Sequence, residues 1–443
     1  MKKKKKTLNK KWQWAKFIVV LLLYLLFLYW VESWLGLIVV PFIYDAYISR
    51  KINWQWWKDS EGPTRCIMSW VDAIVFALVA VYFINQFFFQ NYVIPSSSLE
   101  KSLLTGDYLF VSKLSYGPRI PQTPLTVPLT QHTLPVGGMK SYIEWPHWDY
   151  RRVKGLGQVQ LNDIVVFNYP AGDTICTEMP YQTYYYDLCY DLGYQAYNQT
   201  FGKAYELESQ LDSLSPLDRL VFFSHLYAVG KNAIQNNWHQ FGDIDTRPTD
   251  RRENYVKRCV GLPGQTLQIK DHVVFLDGKA NKEPDLVQYS YTVVFKEGST
   301  LTDDFMQEQG ITCEDLGYPP SSQRDDITFN RRTVIDKMPL TEAARNALEK
   351  RKDLTESVTL NTVAPEDDWR KVYPQNGNMH WTRDNYGPIW IPKKGASIDL
   401  TLENLPVYER CIRAYEGNKL EVKNDGKINR RSEERFSRNA ETD

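Results

Sequence analysis

Two long apolar runs in the first 90 residues constrain this chain before anything else does. Phe17 to Ile48 is nearly all apolar, broken by Glu32 and Ser33 with Asp45 near its far end, and Ile67 to Phe89 follows. A single bilayer span needs about 20 residues, so the 32 residues of the first run form either one long tilted helix or a hairpin turning at Glu32. Charge chooses between them. Seven of the 53 basic residues lie in the first eleven positions, and the loop after the first run carries Arg50, Lys51, Lys58 and Arg65. The positive-inside rule puts both clusters in the cytoplasm, which requires an even number of crossings between them. The reading is therefore a basic cytoplasmic start (1–16), a transmembrane helical hairpin (17–48), a cytoplasmic loop (49–66), a third transmembrane helix (67–90) and an extracytoplasmic remainder. Eight of the fourteen tryptophans sit in or beside these segments, as interfacial anchors do. The first run lacks a small-x-small exit and continues into more apolar sequence, unlike a cleaved signal peptide.

Beyond Asn91 the chain reads as short β-branched and aromatic runs, most of them ended by Gly, Pro, Asn or Asp. They are Tyr108 to Ser112, Ile164 to Tyr169, Tyr255 to Val260, Thr266 to Ile269, Val273 to Leu276, Ile389 to Ile391 and Leu420 to Lys423. Helical patterning is confined to Tyr205–Val229 and to Thr341–Lys352, the latter opened by Pro339 and a Thr341 cap. The expected fold is a mostly β domain over 91–428 with helical inserts at about 171–250 and 280–405. Lys plus Arg equal Asp plus Glu at 53 each, so no global charge points to nucleic acid. The six cysteines show no CxxC and no metal-ligand spacing with the six histidines. They set no disulfide framework, and Cys176 with Cys189 is the one pairing left open.

A short internal repeat runs from Arg258-Cys259-Val260 through Gly264, Leu267 and Ile269 to Lys270-Asp271. It recurs as Arg410-Cys411-Ile412 through Gly417, Leu420 and Val422 to Lys423-Asn424, and is expected to form two related hairpins of one sheet.

Chemistry concentrates in two segments. In Ile94-Pro95-Ser96-Ser97-Ser98-Leu99 the proline keeps its predecessor extended, and the serines after it present a hydroxyl at a turn. Taken alone, Ser97-x-x-Glu100 is also a capping box for a short helix. The second segment is Asn254-Tyr255-Val256-Lys257-Arg258-Cys259-Val260-Gly261-Leu262-Pro263-Gly264. In a strand, Tyr255, Lys257 and Cys259 share one face and Val256, Arg258 and Val260 the other. A lysine is ordinarily solvated, but one set between a tyrosine and a cysteine is a candidate base, because burial disfavours the ammonium form. In the repeat Lys257 falls on Glu409, so the basic face belongs to the first copy only.

In order, these segments are Ile94 to Ser98, Gly106 to Val111, Asp163 to Phe167 and Tyr255 to Gly264. They resemble the successive boxes of type I signal peptidases, following a membrane helix as those boxes do. The inserts and Trp381 to Pro392 resemble the enlarged Bacteroidetes-like members of that family. The resemblance implies a Ser/Lys-dyad serine endopeptidase, multi-pass in the bacterial inner membrane with its catalytic domain on the periplasmic side. Such an enzyme removes signal peptides from exported preproteins with small residues before the cut. Its partners are those preproteins and membrane lipid, with no cofactor, metal or nucleic acid. Carried over, Ser98 is the nucleophile and Lys257 its base, while the Ser96 hydroxyl and the Ser98 N–H hold the oxyanion. Ile94, Pro95, Leu99, Leu103, Tyr255 and Val256 match positions that wall the substrate pockets. Leu99, Lys101 and Asn162 stand where the family commonly has Met, Pro and Gly.

One departure is larger. The family's last box, Gly-Asp-Asn-Arg-x-Asn-Ser-x-Asp-Ser-Arg, is absent, and Arg383-Asp384-Asn385 is only a partial likeness. Leu420 to Lys423 enters an Asn-Asp-Gly turn, but 429–443 is too polar to bury a face. The return strand is therefore expected to fail there, leaving an unpaired edge, a disordered or out-of-frame tail and a catalytically poor enzyme. Other classes fit less well. Ser98-Leu99-Glu100-Lys101 spells the S-x-x-K of penicillin-binding enzymes, but no Lys-Thr-Gly occurs. Neither G-x-S-x-G nor H-E-x-x-H is present. A non-catalytic membrane-anchored envelope protein is the remaining alternative.

Overall fold

The computed structural model describes residues 10–179, 183–201, 210–319, 325–362, 371–377 and 379–431. Two of its helices, α1 (Lys10–Val31) and α2 (Pro63–Phe87), are long and apolar enough to cross a bilayer. Between them the chain reverses at Glu32, whose φ is 53°, and the arm Leu35–Ser49 folds back along α1. Tyr24 Oη donates to Gly36 O at 2.7 Å, and the Phe17 and Tyr44 rings meet edge-on at 5.6 Å. The reversal is the hairpin expected at Glu32. Its return arm, however, has only 15 helical residues, about 22 Å against a hydrocarbon core of about 30 Å.

Strand β1 (Phe89–Val93) begins two residues after α2 ends, so Phe89, expected inside the apolar helix, is already in a sheet. It pairs antiparallel with β2 (Tyr108–Ser112). A long irregular strap, residues 113–160, then leads to β3 (Ile164–Asn168) and β4 (Thr174–Cys176). The first insert follows as two helices, α3 (Tyr185–Phe201) and α4 (Pro216–Gln235). They cross very closely, because a Cβ on Gly230 would lie 1.8 Å from Cys189 O and one on Gly193 2.3 Å from Leu226 O. The chain returns through β5 (Ile244–Thr246) to β6 (Asn254–Arg258), which pairs antiparallel with β3. Strands β7 (Thr266–Lys270), β8 (Val273–Leu276) and β9 (Lys279–Ala280) form a meander.

The second insert builds a core of its own. Strand β10 (Gln288–Phe295) lies between β13 (Thr333–Thr341) and β14 (Thr355–Leu360), with β11 (Thr300–Leu301), α5 (Asp303–Gln309), β12 (Ile327–Thr328) and α6 (Glu342–Lys350) around them. Val293, Phe295, Leu301, Met306, Met338 and Leu348 are wholly buried there. The Thr341 Oγ1 cap accepts from Ala344 N as expected, whereas Pro339 lies in β13 rather than opening the helix. Strand β15 (Tyr386–Trp390) then rejoins the meander beside β7, inside the range read as insert.

Three expectations change. Within the described residues helix exceeds strand, so the chain is mixed rather than mostly β: α1, α2, α3 and α4 outweigh many short strands. The repeat holds in sequence but not in structure. Arg258 ends a strand, while Arg410 ends a helix, α7 (Leu405–Arg410), and the two copies lie in different sheets. The C-terminal edge is not unpaired. Strand β16 (Lys419–Val422) pairs with β17 (Ile428–Arg431), with Leu420 opposite Arg430 and Val422 opposite Ile428. Backbone hydrogen bonding needs no apolar side chains on the returning strand. Leu420 supplies the buried face by packing with Leu405 and Ile412, and Arg430 pairs with Glu416 at 3.2 Å. Residues 432–443, the rest of the expected tail, lie outside the described residues. All six cysteines are free, Cys176 and Cys189 included.

Candidate active site

After β1 the backbone stays extended through Ser96 (φ −143°, ψ 154°) and then makes a single 3-10 turn, Ser97–Leu99. Ser97 lies inside the turn, with Glu100 N donating to its backbone O at 2.9 Å, so it does not cap as the Ser97-x-x-Glu100 box requires, and Ser96 before it makes no side-chain cap either. The Ser96 Oγ lies instead 3.5 Å from Ser98 Oγ. The turn is fastened to its surroundings: Ile94 N donates to Asp107 O and Gly106 N to Ile94 O, both at 2.9 Å. Ile94 itself is buried, while Ser96, Ser97 and Ser98 are exposed.

The β3–β6 ladder brings the second segment to it. Lys257 sits opposite Val165, half-buried, and its Nζ donates to Ser98 Oγ at 2.5 Å across 159 residues of sequence. Alternation along β6 puts Tyr255 on the same face, where its ring centroid lies 5.9 Å from Nζ. That ring stacks on Tyr169 at 4.6 Å, and its hydroxyl is 2.5 Å from that of Tyr184. Burial, then the Tyr255 hydrogen bond, raises the Tyr184 phenol far above its ordinary value, so it stays neutral. Lys257 thus has the Tyr255 ring beside it, backed by Tyr169 and by Tyr184 from the first insert.

Arg258, next along the strand, clamps the two segments together. Its Nη2 donates to Ser102 Oγ at 3.0 Å and its Nη1 to Asn162 O at 2.9 Å. Beneath it Asp163 accepts from Tyr116 Oη at 2.7 Å and Gln160 N at 2.9 Å, bonds that hold its carboxyl below the usual range. Among the described residues no cluster of His, Cys, Asp or Glu is arranged to hold a metal ion. An exposed hydroxyl in contact with a half-buried amine, with a second hydroxyl alongside, is an arrangement suited to acyl transfer.

Residues 67–331, more than half of the chain, match the family described as Signal peptidase, peptidase S26. The chain belongs to that signal peptidase family. Its curated relatives carry the name Signal peptidase I. The Helicobacter pylori enzyme is 48% identical over 56 residues, covering 13% of this chain and 18% of the relative. The Bacillus amyloliquefaciens enzyme is 45% identical over 53 residues, covering 12% and 28%. That of Aquifex aeolicus is 49% identical over 39 residues, covering 9% and 15%. The chain therefore matches less than a third of the length of each of these relatives. No solved structure matches the chain.

Of the expected site residues, Ser96, Ser98, Lys257 and Tyr255 come together, with Leu99 on the serine turn and Ile94 and Pro95 in the extended run before it. Leu103, whose N donates to Leu99 O at 2.8 Å, and Val256 also line a cleft behind β6 to which neither Ser98 nor Lys257 contributes. Tyr169, Tyr184 and the clamping role of Arg258 were not read from the sequence. Arg258 lay within the recognised box, but alternation alone directed it away from the serine. Tyr184 carries no motif signal at all.

Proposed function

We propose that this chain is a Ser/Lys-dyad endopeptidase that removes signal peptides from exported preproteins, working at the outer face of the inner membrane. The observation that carries the reading is the 2.5 Å contact between Lys257 Nζ and Ser98 Oγ. In the proposed mechanism the unprotonated Lys257 amine takes the proton of Ser98 as Oγ attacks the scissile carbonyl. The Ser96 hydroxyl and Ser98 N–H receive the developing oxyanion, and the ammonium returns its proton to the leaving amine. Water then attacks the acyl-enzyme with Lys257 again as base. Ile94, Pro95, Leu99 and Tyr255 wall the space beside Ser98 and favour small side chains before the cut. The membrane reading has α1 and α2 crossing the bilayer in opposite relation to the Leu35–Ser49 arm. The basic ends near Lys10 and near Arg50 to Arg65 lie in the cytoplasm, and everything after Asn91 lies outside.

The test is cleavage of a preprotein by the purified full-length chain. Ser98→Ala and Lys257→Ala should each remove nearly all turnover, and the double variant should be no worse than either, because the two residues act as one unit. Near wild-type turnover by Lys257→Ala would sink the dyad. Retained cellular function in Ser98→Ala would favour the non-catalytic envelope protein.

A further inference from the structure

Behind the catalytic strand, on the face of β6 opposite Lys257, lies a cleft of about 1240 Å³ between the last two turns of α2, the β1–β2 pair, the β3–β6 pair and the strap. Four cations line it: Arg251, which lies 3.9 Å from Asp250, and a group of three, Lys113, Arg119 and Arg152. Backbone pairing holds Arg119 opposite Arg152. Arg152 Nη1 donates to Gly117 O at 2.7 Å, but among the described residues none of the three makes an ion pair. The two carboxylates in the lining make their hydrogen bonds and ion pairs with other groups, and Asp250 Oδ1 is buried without a hydrogen bond. Asp250 accepts from Gln122 N, Thr123 N and Thr123 Oγ1 and lies 3.9 Å from Arg251, while Glu253 pairs with Arg247 at 3.1 Å and lies 3.3 Å from His132. Burial, and then the Arg119 and Arg152 charges, push the Lys113 ammonium down to about 8, while Asp250 offsets only part of the positive charge at Arg119. A folded protein seldom keeps such a cluster without an anion to satisfy it.

The position of the cleft says where that anion comes from. The strap runs down the side of α2: Gln86 Nε2 donates to Arg119 O at 2.5 Å and Tyr82 Oη to Pro124 O at 3.3 Å. Tyr82 lies five residues before the end of α2, about 7 Å back along its axis. The lining on that side includes Val81, Val127 and Leu129, set among Thr126, Thr130 and Gln131, and Val127 and Leu129 are exposed. Farther along the strap Val136, Met139, Ile143 and Trp145 are exposed too. Cations above exposed apolar side chains beside a membrane helix match an anionic headgroup above its acyl chains.

We propose that this cleft binds the phosphate of an anionic phospholipid from the outer leaflet, gripped by Lys113, Arg119 and Arg152, with its acyl chains lying along Val81 and Leu129. The proposal rests on the reading that α2 crosses the bilayer, but not on peptide cleavage.

The full-length chain, purified in neutral detergent, is titrated with phosphatidylglycerol, phosphatidylcholine or inorganic phosphate, and bound lipid is counted by native mass spectrometry. Phosphatidylglycerol should be retained at roughly tenfold lower concentration than phosphatidylcholine. Lys113→Gln/Arg119→Gln should lose that preference, while the charge-keeping Lys113→Arg/Arg119→Lys, checked by thermal melting, should keep it. The charge-keeping pair keeps the question decidable even where the neutral pair fails to fold. Equal retention of the two lipids by wild type, or an unchanged preference in a folded neutral pair, would overturn the proposal. Displacement of phosphatidylglycerol by inorganic phosphate at matching concentration would assign the site to a soluble anion and overturn the lipid source. Ser98→Ala should bind lipid as wild type does, and flotation with vesicles reads the membrane anchor separately, so failure of either functional premise is distinguishable from failure of the cleft.

Discussion

Replacing Arg258 with methionine tests whether the serine turn is held in place by its hydrogen bonds to the catalytic strand. The side chain keeps most of its length and loses both donors. The bond to Asn162 O is partly buried, and a charge-assisted bond of that kind contributes about 1.5–3 kcal/mol. The bond to Ser102 Oγ is exposed and is discounted to under about 1 kcal/mol. Losing both should cost roughly 2–3 kcal/mol locally. Only the Ser102 bond reaches the serine segment, so freeing it lets Ser98 shift against Lys257, and a shift of about 1 Å lowers turnover by up to about a hundredfold. Steady-state cleavage of a preprotein, with the folded fraction measured in the same sample, should show kcat down ten- to hundredfold at a nearly unchanged KM. Arg258→Lys, which can reach one acceptor but not both, should fall between. A well-folded Arg258→Met enzyme with wild-type kcat would refute the clamp. A fall in kcat that only tracks lost folded protein would reduce Arg258 to a stability role.

Phe295, wholly buried in the core of the second insert, should cost about 3–5 kcal/mol when changed to alanine. Limited proteolysis should then cut first between residues 288 and 360 and leave the β7–β8 meander intact; simultaneous loss of both would show that the insert is not a separate cooperative unit. The depressed Lys113 ammonium gives a signed pH dependence. Between about 8 and its ordinary 10.5 the unfolded chain holds more protons at this residue, so its contribution to stability rises with pH, and below 8 its penalty is constant. In lipid-free detergent Lys113→Met should therefore be more stable than wild type below pH 8, with the advantage fading toward pH 10.5; a difference that is flat with pH would contradict the shift. For topology, a reporter active only outside the cytoplasm should be silent when fused after Ser60 and active when fused after Tyr116. An active Ser60 fusion would exclude a cytoplasmic loop at Arg50 to Arg65.

Local signals were legible where the physics is local. Strands β2 and β8 match their sequence readings at both ends: Gly106-Asp107 opens the first, and Asp271-His272 and Asp277-Gly278 bound the second. Helix α3 was missed: Tyr185 to Phe201 is so rich in tyrosine that it carries little apolar periodicity, and what holds it is a close glycine-lined crossing with α4. The β13-β10-β14 sheet was missed because its partners are tens of residues apart and no local pattern specifies register. The second copy of the Arg-Cys repeat shows context overriding propensity, since the run that ends in a strand at Arg258 continues a helix opened by Pro406 at Arg410. At the site, Ser98 and Lys257 were readable because their boxes carry backbone constraints as well as functional groups. Tyr184 was not, because its role arises only from where the first insert folds back.

The absence of any linker between α2 and β1 sets a height. Ser98 is eleven residues past Phe87, a tether of at most about 36 Å fully extended and less in a pleated, paired strand. The strap shortens it further, since Arg151 donates to Val31 O at 2.7 Å and to Glu32 at 3.0 Å, and Trp30 Nε1 to Lys154 O at 3.1 Å. With α2 crossing the bilayer, as proposed above, the hydroxyl cannot wander to meet a distant bond. On the proposed function, the site would act as a gauge fixed to the membrane, with a preprotein cut only where its own apolar segment ends at the matching depth.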